Sequence, residues 1–227
     1  RDVPLEVEDV VFNPIAAAQV VLNREAKHQG ALMLDFGAGT VDYVLYEDGM
    51  VAASGCVPLG GDHITQDVAA AFQLKSGLAE RLKVEQGSCL YQEVPVDEML
   101  RVEDDNGYYV GEVERAFLNE VMYLRTREIL EQVKRKVEDH LGKLASGVHL
   151  TGGVSLMKGV DVVAREVFGL KVTRAGSAPV SGVTATFENP TFSASIGLIR
   201  YAQILDNAKP YLSPFGRLAR RMADLIS

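Results

Sequence analysis

The chain has 227 residues, 47% of them hydrophobic and 24% charged, and its 31 acidic against 23 basic side chains leave a net charge of −8. These figures exclude collagen, wholesale disorder and a disulfide-stapled miniprotein, and an acidic chain is a poor general binder of nucleic acid. Two cysteines, Cys56 and Cys89, are too few for an extracellular disulfide framework and lack metal-ligand spacing, which points to a reducing cytosol.

In chain order, Ala16, Ala17, Val20, Val21 and Leu22 predict a helix over 14–27, ended by Gly30. Ala31–Leu34 is an apolar run suited to a buried strand, and Asp35-Phe36-Gly37-Ala38-Gly39-Thr40 is a glycine-rich turn. Val41–Tyr46 and Met50–Val57 predict two strands joined at Asp48-Gly49, a type I′ signal. Asp62 is placed to cap a helix running to Phe72, with Ile64, Val68 and Phe72 on one face. A short helix follows over 76–87, then a strand-like stretch over 89–112 with a hairpin at Asn106-Gly107. Leu130, Val133, Val137 and Leu141 mark a long amphipathic helix over 114–141, with Gly142 as its C′ residue. Val148–Gly153 reads as a strand entering a glycine turn, followed by a helix over 157–168 and a strand over 170–173. A Gly-, Ser- and Pro-rich loop covers 175–190, a helix 191–206, and a last helix 215–226 follows Pro210 and Pro214. This order of hairpins and helices predicts an α/β fold with an inserted lobe near 76–141.

The turn at 35–40 is the sharpest chemical signal. Successive backbone N–H groups in a tight turn hold phosphate, and small residues permit the close approach. Asp35 at the strand end suits a Mg²⁺ shell or an attacking water, and Thr40 adds a hydroxyl. No Gly-Lys-Ser/Thr follows, so this is not a Walker A loop, and Asp42 with a following strand excludes the Rossmann fingerprint. A plain hairpin is the alternative. The turn Leu150-Thr151-Gly152-Gly153-Val154 would let a flat base or an α-phosphate lie on the backbone, or is a simple strand-to-helix junction. Glu80 and Lys83, at i, i+3, point the same way; they suit ribose hydroxyls and an adenine edge, or form a solvated ion pair.

The order of these elements resembles the nucleotide half of the actin-like ATPase superfamily, and within it the bacterial FtsA family. Asn13-Pro14-Ile15-Ala16-Ala17 resembles the family's Glu-Pro-Leu-Ala-Ser segment, and Leu34–Asp42 its second phosphate loop. Gly60–Ala69 resembles its next helix entry and Ala79-Glu80-Arg81-Leu82-Lys83 its ribose- and adenine-side helix. Leu150-Thr151-Gly152-Gly153 with Gly159 resembles the adenosine motif, and Asn189–Leu198 the closing helix. Two departures stand out: Ala38 replaces the loop's middle glycine, which requires φ below zero there, and Asn13 replaces a glutamate.

The resemblance implies an actin-like (ribonuclease H-like) lobe with an inserted α/β subdomain. Residues 1–75 and 142–206 would form the nucleotide-binding subdomain, 76–141 the insert, and 207–227 a linker and amphipathic helix. It implies ATP with Mg²⁺ held by Asp35, Gly37, Ala38, Gly39, Thr40, Glu80, Lys83, Gly152, Gly153 and Val154, with at most slow hydrolysis at Asp35. It also implies self-association into filaments, docking of the FtsZ C-terminal peptide on 76–141, and a peripheral place on the cytoplasmic face of the bacterial inner membrane. The first phosphate loop would lie in a preceding N-terminal half, consistent with a chain that begins at Arg1.

The charge is uneven. Lys209, Arg217, Arg220 and Arg221 stand against Asp224 in the last 20 residues, leaving the rest of the chain strongly acidic. Phe215, Leu218, Met222, Leu225 and Ile226 share a helical stripe, with the arginines mostly off it, as in an interfacial membrane anchor. Each basic residue near an anionic leaflet contributes ~1 kcal/mol, so one copy binds weakly and filament avidity would strengthen it. A terminal helix docked on the domain's own core is the alternative. His28, His63, His140 and His149 show no ligand spacing, and Arg125, Arg127, Lys134 and Arg135 form either a solvated face or a surface for an acidic peptide. Two other functions stay open: an ATP-independent scaffold of pilus-assembly type, and a phosphotransferase of the same superfamily.

Overall fold

The computed structural model describes residues 7, 9–93, 95, 97–104, 106–174 and 189–208. The tail stripe 215–226, Pro210, Pro214 and most of the 175–190 loop lie outside them.

The first helical stretch is two helices, α1 (Asn13–Val21) and α2 (Arg24–Gln29), rather than one. Leu22 turns extended between them, and the Asn23 side chain accepts the Ala26 N–H at 2.7 Å, capping α2 and outcompeting helix continuation. Strands β1 (Ala31–Phe36), β2 (Val41–Glu47) and β3 (Met50–Val57) follow as an antiparallel meander. Asp48 (φ 52°) and Gly49 (φ 81°) form the expected turn between β2 and β3. After α3 (Gly61–Phe72) and α4 (Ser76–Gln86), β4 (Met99–Glu103) and β5 (Tyr109–Glu114) form a separate two-stranded sheet. The strand-like stretch from 89 therefore begins later than expected, after a 3-10 turn at Tyr91–Glu93. Helix α5 (Arg115–Val137) ends earlier than its apolar spacing predicts. Glu138–Lys143 tightens to 3-10 geometry, so Gly142 is not its C′ residue. Strand β6 (Gly147–Thr151), α6 (Val160–Phe168), β7 (Val172–Arg174) and α7 (Ser193–Ala208) complete the order. A 3-10 turn over Gly153–Leu156 delays α6 beyond its expected start.

The main sheet runs β3-β2-β1-β6-β7, with β6 parallel to β1 and β7 parallel to β6. Strand β1 is apolar and buried from Ala31 to Leu34 because both of its faces are covered there. Leu32, Leu34 and Phe36 join a core with Ile64 and Val68 of α3, Ile129, Leu130 and Val133 of α5, and Val160 and Val163 of α6. Ala31 and Met33 face Ala17, Ala18 and Leu22 on the opposite side, where α7 adds Ala194. The period of two therefore sets Asp35 on the α1/α7 face, at the end of β1.

Candidate functional site

Strand register builds a polar row at the carboxyl end of β1. Asp35 sits opposite Thr151 on one side and Asp42 on the other, and Asp42 sits opposite Cys56. Thr151 Oγ1 lies 2.7 Å from Ser193 Oγ at the start of α7. The Asp35 side chain makes no hydrogen bond or ion pair among the described residues, and burial together with the neighbouring Asp42 charge pushes its pKa up to about 6. The Cys56 thiol is also held up, first by its hydrogen bond to Asp42 and then by burial.

The glycine turn is closed by the Gly37 N–H donating to Thr40 O at 2.9 Å. Its carbonyls are taken by the first turn of α3, where Gly61 N–H donates to Gly37 O at 3.0 Å and Asp62 N–H to Ala38 O at 2.8 Å. Ala38 is absent from the positive-φ residues, so the alanine costs no backbone strain. Gly60, rather than Asp62, is the N-cap residue of α3, and its N–H donates to His63 Nδ1 at 3.1 Å.

Gly61 is where three sequence motifs meet. A Cβ built there would lie 2.8 Å from Val154 Cγ2, 3.5 Å from Lys83 Nζ and 3.7 Å from Ala38 Cα. Lys83 is only 8% exposed, and its ammonium donates to Gly61 O (3.1 Å) and Thr65 Oγ1 (2.8 Å) and pairs with Glu80 at 2.6 Å. The Thr65 hydroxyl makes a short hydrogen bond to the same Glu80 carboxylate. Burial works against the charge on Glu80, but hydrogen bonds from Lys83 and Thr65 outweigh it and hold its pKa below the ordinary value. Lys83→Met leaves these acceptors without their cation, and we expect a loss of about 1–3 kcal/mol in urea denaturation.

These groups border a cleft of about 790 Å³, within the size range of small-molecule sites. Ala38, Glu80, Lys83, Gly153 and Val154 line it, whereas Asp35, Gly37, Gly39, Thr40 and Gly152 do not. Gly152 backs directly onto Asp35: its φ is 83°, and a Cβ there would lie 2.4 Å from Asp35 Oδ1. Gly153 next to it faces open space.

The sequence reading overlooked Asp42 and Cys56 as members of the row, Thr65 as the third partner of Glu80 and Lys83, and Asn119. The signal for Thr65 was its i+4 spacing from Gly61; for Asn119 it was an amide on a helix stripe that is otherwise mainly apolar. The basic residues of α5 are largely engaged: Arg125 with Asp67 and Glu128, Arg127 with Glu131, and Lys134 Nζ with Val167 O at 2.8 Å.

The residues present fit a nucleotide with a divalent cation. Two adjacent carboxylates, one with no partner among the described residues, suit a cation whose other ligands are phosphates and water. Among the described residues no cluster of three or more His, Cys, Asp or Glu could hold a metal by itself.

A family model described as "Cell division protein FtsA" matches residues 32–197, well over half of the chain. The chain belongs to the FtsA family. The cell division protein FtsA of Pseudomonas aeruginosa is 30% identical over 199 residues, covering 87% of this chain and 48% of that protein. That of Escherichia coli K12 is 29% identical over 208 residues, covering 88% and 50%. This FtsA-family chain thus spans about half the length of the curated relatives it matches. Its fold is actin-like. MreB5 of Spiroplasma citri bound to ADP superposes with a TM-score of 0.64 at 18% identity, covering 87% of this chain and 61% of that one. A type IV pilus biogenesis complex, PilM–PilN, gives a TM-score of 0.62 at 17% identity, covering 86% and 52%. No described helix is long and apolar enough to cross a membrane.

Proposed function

We propose that this chain is the nucleotide-binding half of a filament-forming division protein that holds ATP with Mg²⁺ in the cleft beside Gly61. The meeting of Ala38, Lys83 and Val154 around Gly61 carries the reading, because three segments distant in sequence border one cleft of suitable size. In this reading the 37–40 turn, which reaches the cleft at Ala38, lies at the phosphates, Glu80 and Lys83 face the ribose and the base, and Gly153 and Val154 face the nucleoside from the other side, with Gly152 behind them against Asp35. Asp35 would hold the cation through water, and the cation would supply charge neutralisation of the phosphates. The solved MreB5 relatives, described with ADP and with AMPPNP, support a nucleotide in this fold.

The domain roles follow the family. Residues 1–75 and 142–206 form the nucleotide-binding subdomain and 76–141 the insert that docks the FtsZ C-terminal peptide. Residues 207–227 carry the amphipathic helix that holds filaments on the cytoplasmic face of the inner membrane. Slow hydrolysis would control assembly rather than transfer phosphate to another substrate. Two measurements on the intact protein test the reading. Titration with ATP should give Mg²⁺-dependent binding that Lys83→Met weakens, and liposome co-sedimentation should be lost on deleting 212–227. No ATP binding in the presence of Mg²⁺ overturns the nucleotide assignment, and unchanged sedimentation of the deletion overturns the anchor.

A further inference from the structure

The cleft does not stop at Lys83. Glu80, Lys83 and Gly87 follow one another along one face of α4 and its end, and Gly87 lies about 6 Å beyond Lys83 along the axis. Past it the lining passes to Ser88 and to Asn119 of α5. Asn119 is 1% exposed and Ser88 6%. Asn119 Oδ1 accepts the Ser88 N–H at 2.9 Å, which fixes the orientation of the amide. Its Nδ2 donates to none of the described residues. Ser88 Oγ accepts the Leu90 N–H at 3.0 Å, and its own proton is likewise given to none of them. Buried amide and hydroxyl donors are ordinarily paired, because leaving one unpaired is costly. Here two neighbouring donors border the same cleft.

We propose that Asn119 Nδ2 and Ser88 Oγ form a donor pair at the base end of the cleft that selects a base presenting two ring acceptors, adenine in preference to guanine. The inference rests on the nucleotide reading above and deepens it. Adenine presents ring nitrogens N1 and N3 as acceptors on either side of a C–H. Guanine keeps N3 as an acceptor but presents N1–H in place of the other and a 2-amino group in place of the C–H, so one of the two donors would meet a donor and the amino group would crowd both. A site whose buried polar groups are left unpaired by the wrong ligand rejects it far more strongly than a site that loses only packing. The phosphate end is left to the 37–40 turn, since Ala38 adjoins Gly61 on the near side of Lys83.

The decisive variant is Asn119→Asp, which keeps an oxygen for the Ser88 N–H but turns the cleft-facing donor into an acceptor. We expect ATP binding by the intact protein to fall about 10-fold while GTP binding holds or rises, so that the preference for ATP drops at least ~10-fold. Binding of 1-deaza-ATP or 3-deaza-ATP should be weaker than that of ATP in the unaltered protein, with the difference reduced in the variant. Ser88→Ala, which removes a single hydroxyl, should move the preference in the same direction by less and serves if Asn119→Asp does not fold. An ATP-to-GTP preference unchanged in the folded variants, in a protein that binds ATP, overturns this inference alone. Absence of any ATP binding by the unaltered protein overturns the nucleotide reading and this inference with it.

Discussion

Asp35→Asn is expected to stabilise the ligand-free protein at neutral pH and, under the function proposed above, to remove the Mg²⁺ dependence of ATP binding measured by titration. The two effects have one origin. Asp35 is largely buried beside Asp42 with no partner among the described residues, and its pKa is pushed up to about 6 from 3.8. A carboxyl group raised in the folded state binds its proton more tightly there than in the unfolded chain. Its ionisation therefore opposes folding, and the penalty grows as pH rises from about 4 to 6 and is constant above. The rise corresponds to at most about 3 kcal/mol, and residual solvent contact reduces that to about 1–3 kcal/mol. The amide has no charge to desolvate, so the variant should gain that amount at pH 8 and nothing below about pH 4. Urea denaturation at the two pH values measures the difference, and equal stabilities at pH 8 would contradict the unpartnered carboxylate. The retained charge makes sense as a cation site: the group that costs stability in the free protein is the one a Mg²⁺ shell would use.

Gly152→Ala is expected to produce the largest loss of stability. With φ 83° and ψ 170°, Gly152 occupies a region that is essentially closed to residues with a Cβ. The added methyl would also lie 2.6 Å from Phe36 O, a backbone atom within a paired strand, as well as 2.4 Å from Asp35 Oδ1. Strain and overpacking together amount to about 2–6 kcal/mol. The neighbouring Gly153→Ala provides the internal contrast. Its φ is not positive and its Cβ meets nothing within 4 Å, so its stability should stay within about 1 kcal/mol. Thermal melting of both variants separates a backbone requirement at 152 from a general sensitivity of the turn, and equal losses would refute the distinction.

Much of this architecture is written locally. The apolar run at Ala31–Leu34, the Asp48-Gly49 turn, the α3 stripe Ile64 and Val68 and the glycine pairs all carry their meaning within a few residues. A period of two or 3.6 needs no distant partner to be read. The same locality explains the errors. Apolar spacing across Leu22 and Asn23 looks continuous, but the Asn23 side chain caps a second helix there. The spacing past Val137 also continues, yet the chain tightens into 3-10 geometry.

The sequence by itself determined an α/β chain of actin-like order and the turns at 35–40 and 150–154 as the places where chemistry would gather. It also marked Glu80 with Lys83 as one unit. Only the tertiary structure decided which of these residues share a cleft. Strand register placed Asp42 and Cys56 in line with Asp35, and the packing of α3 against the turn brought Gly61, Ala38, Lys83 and Val154 together. The docking of α5 beside the end of α4 set Asn119 against Ser88, 31 residues away in the chain. Such pairings depend on how sheets and helices close on one another, and no local periodicity encodes them.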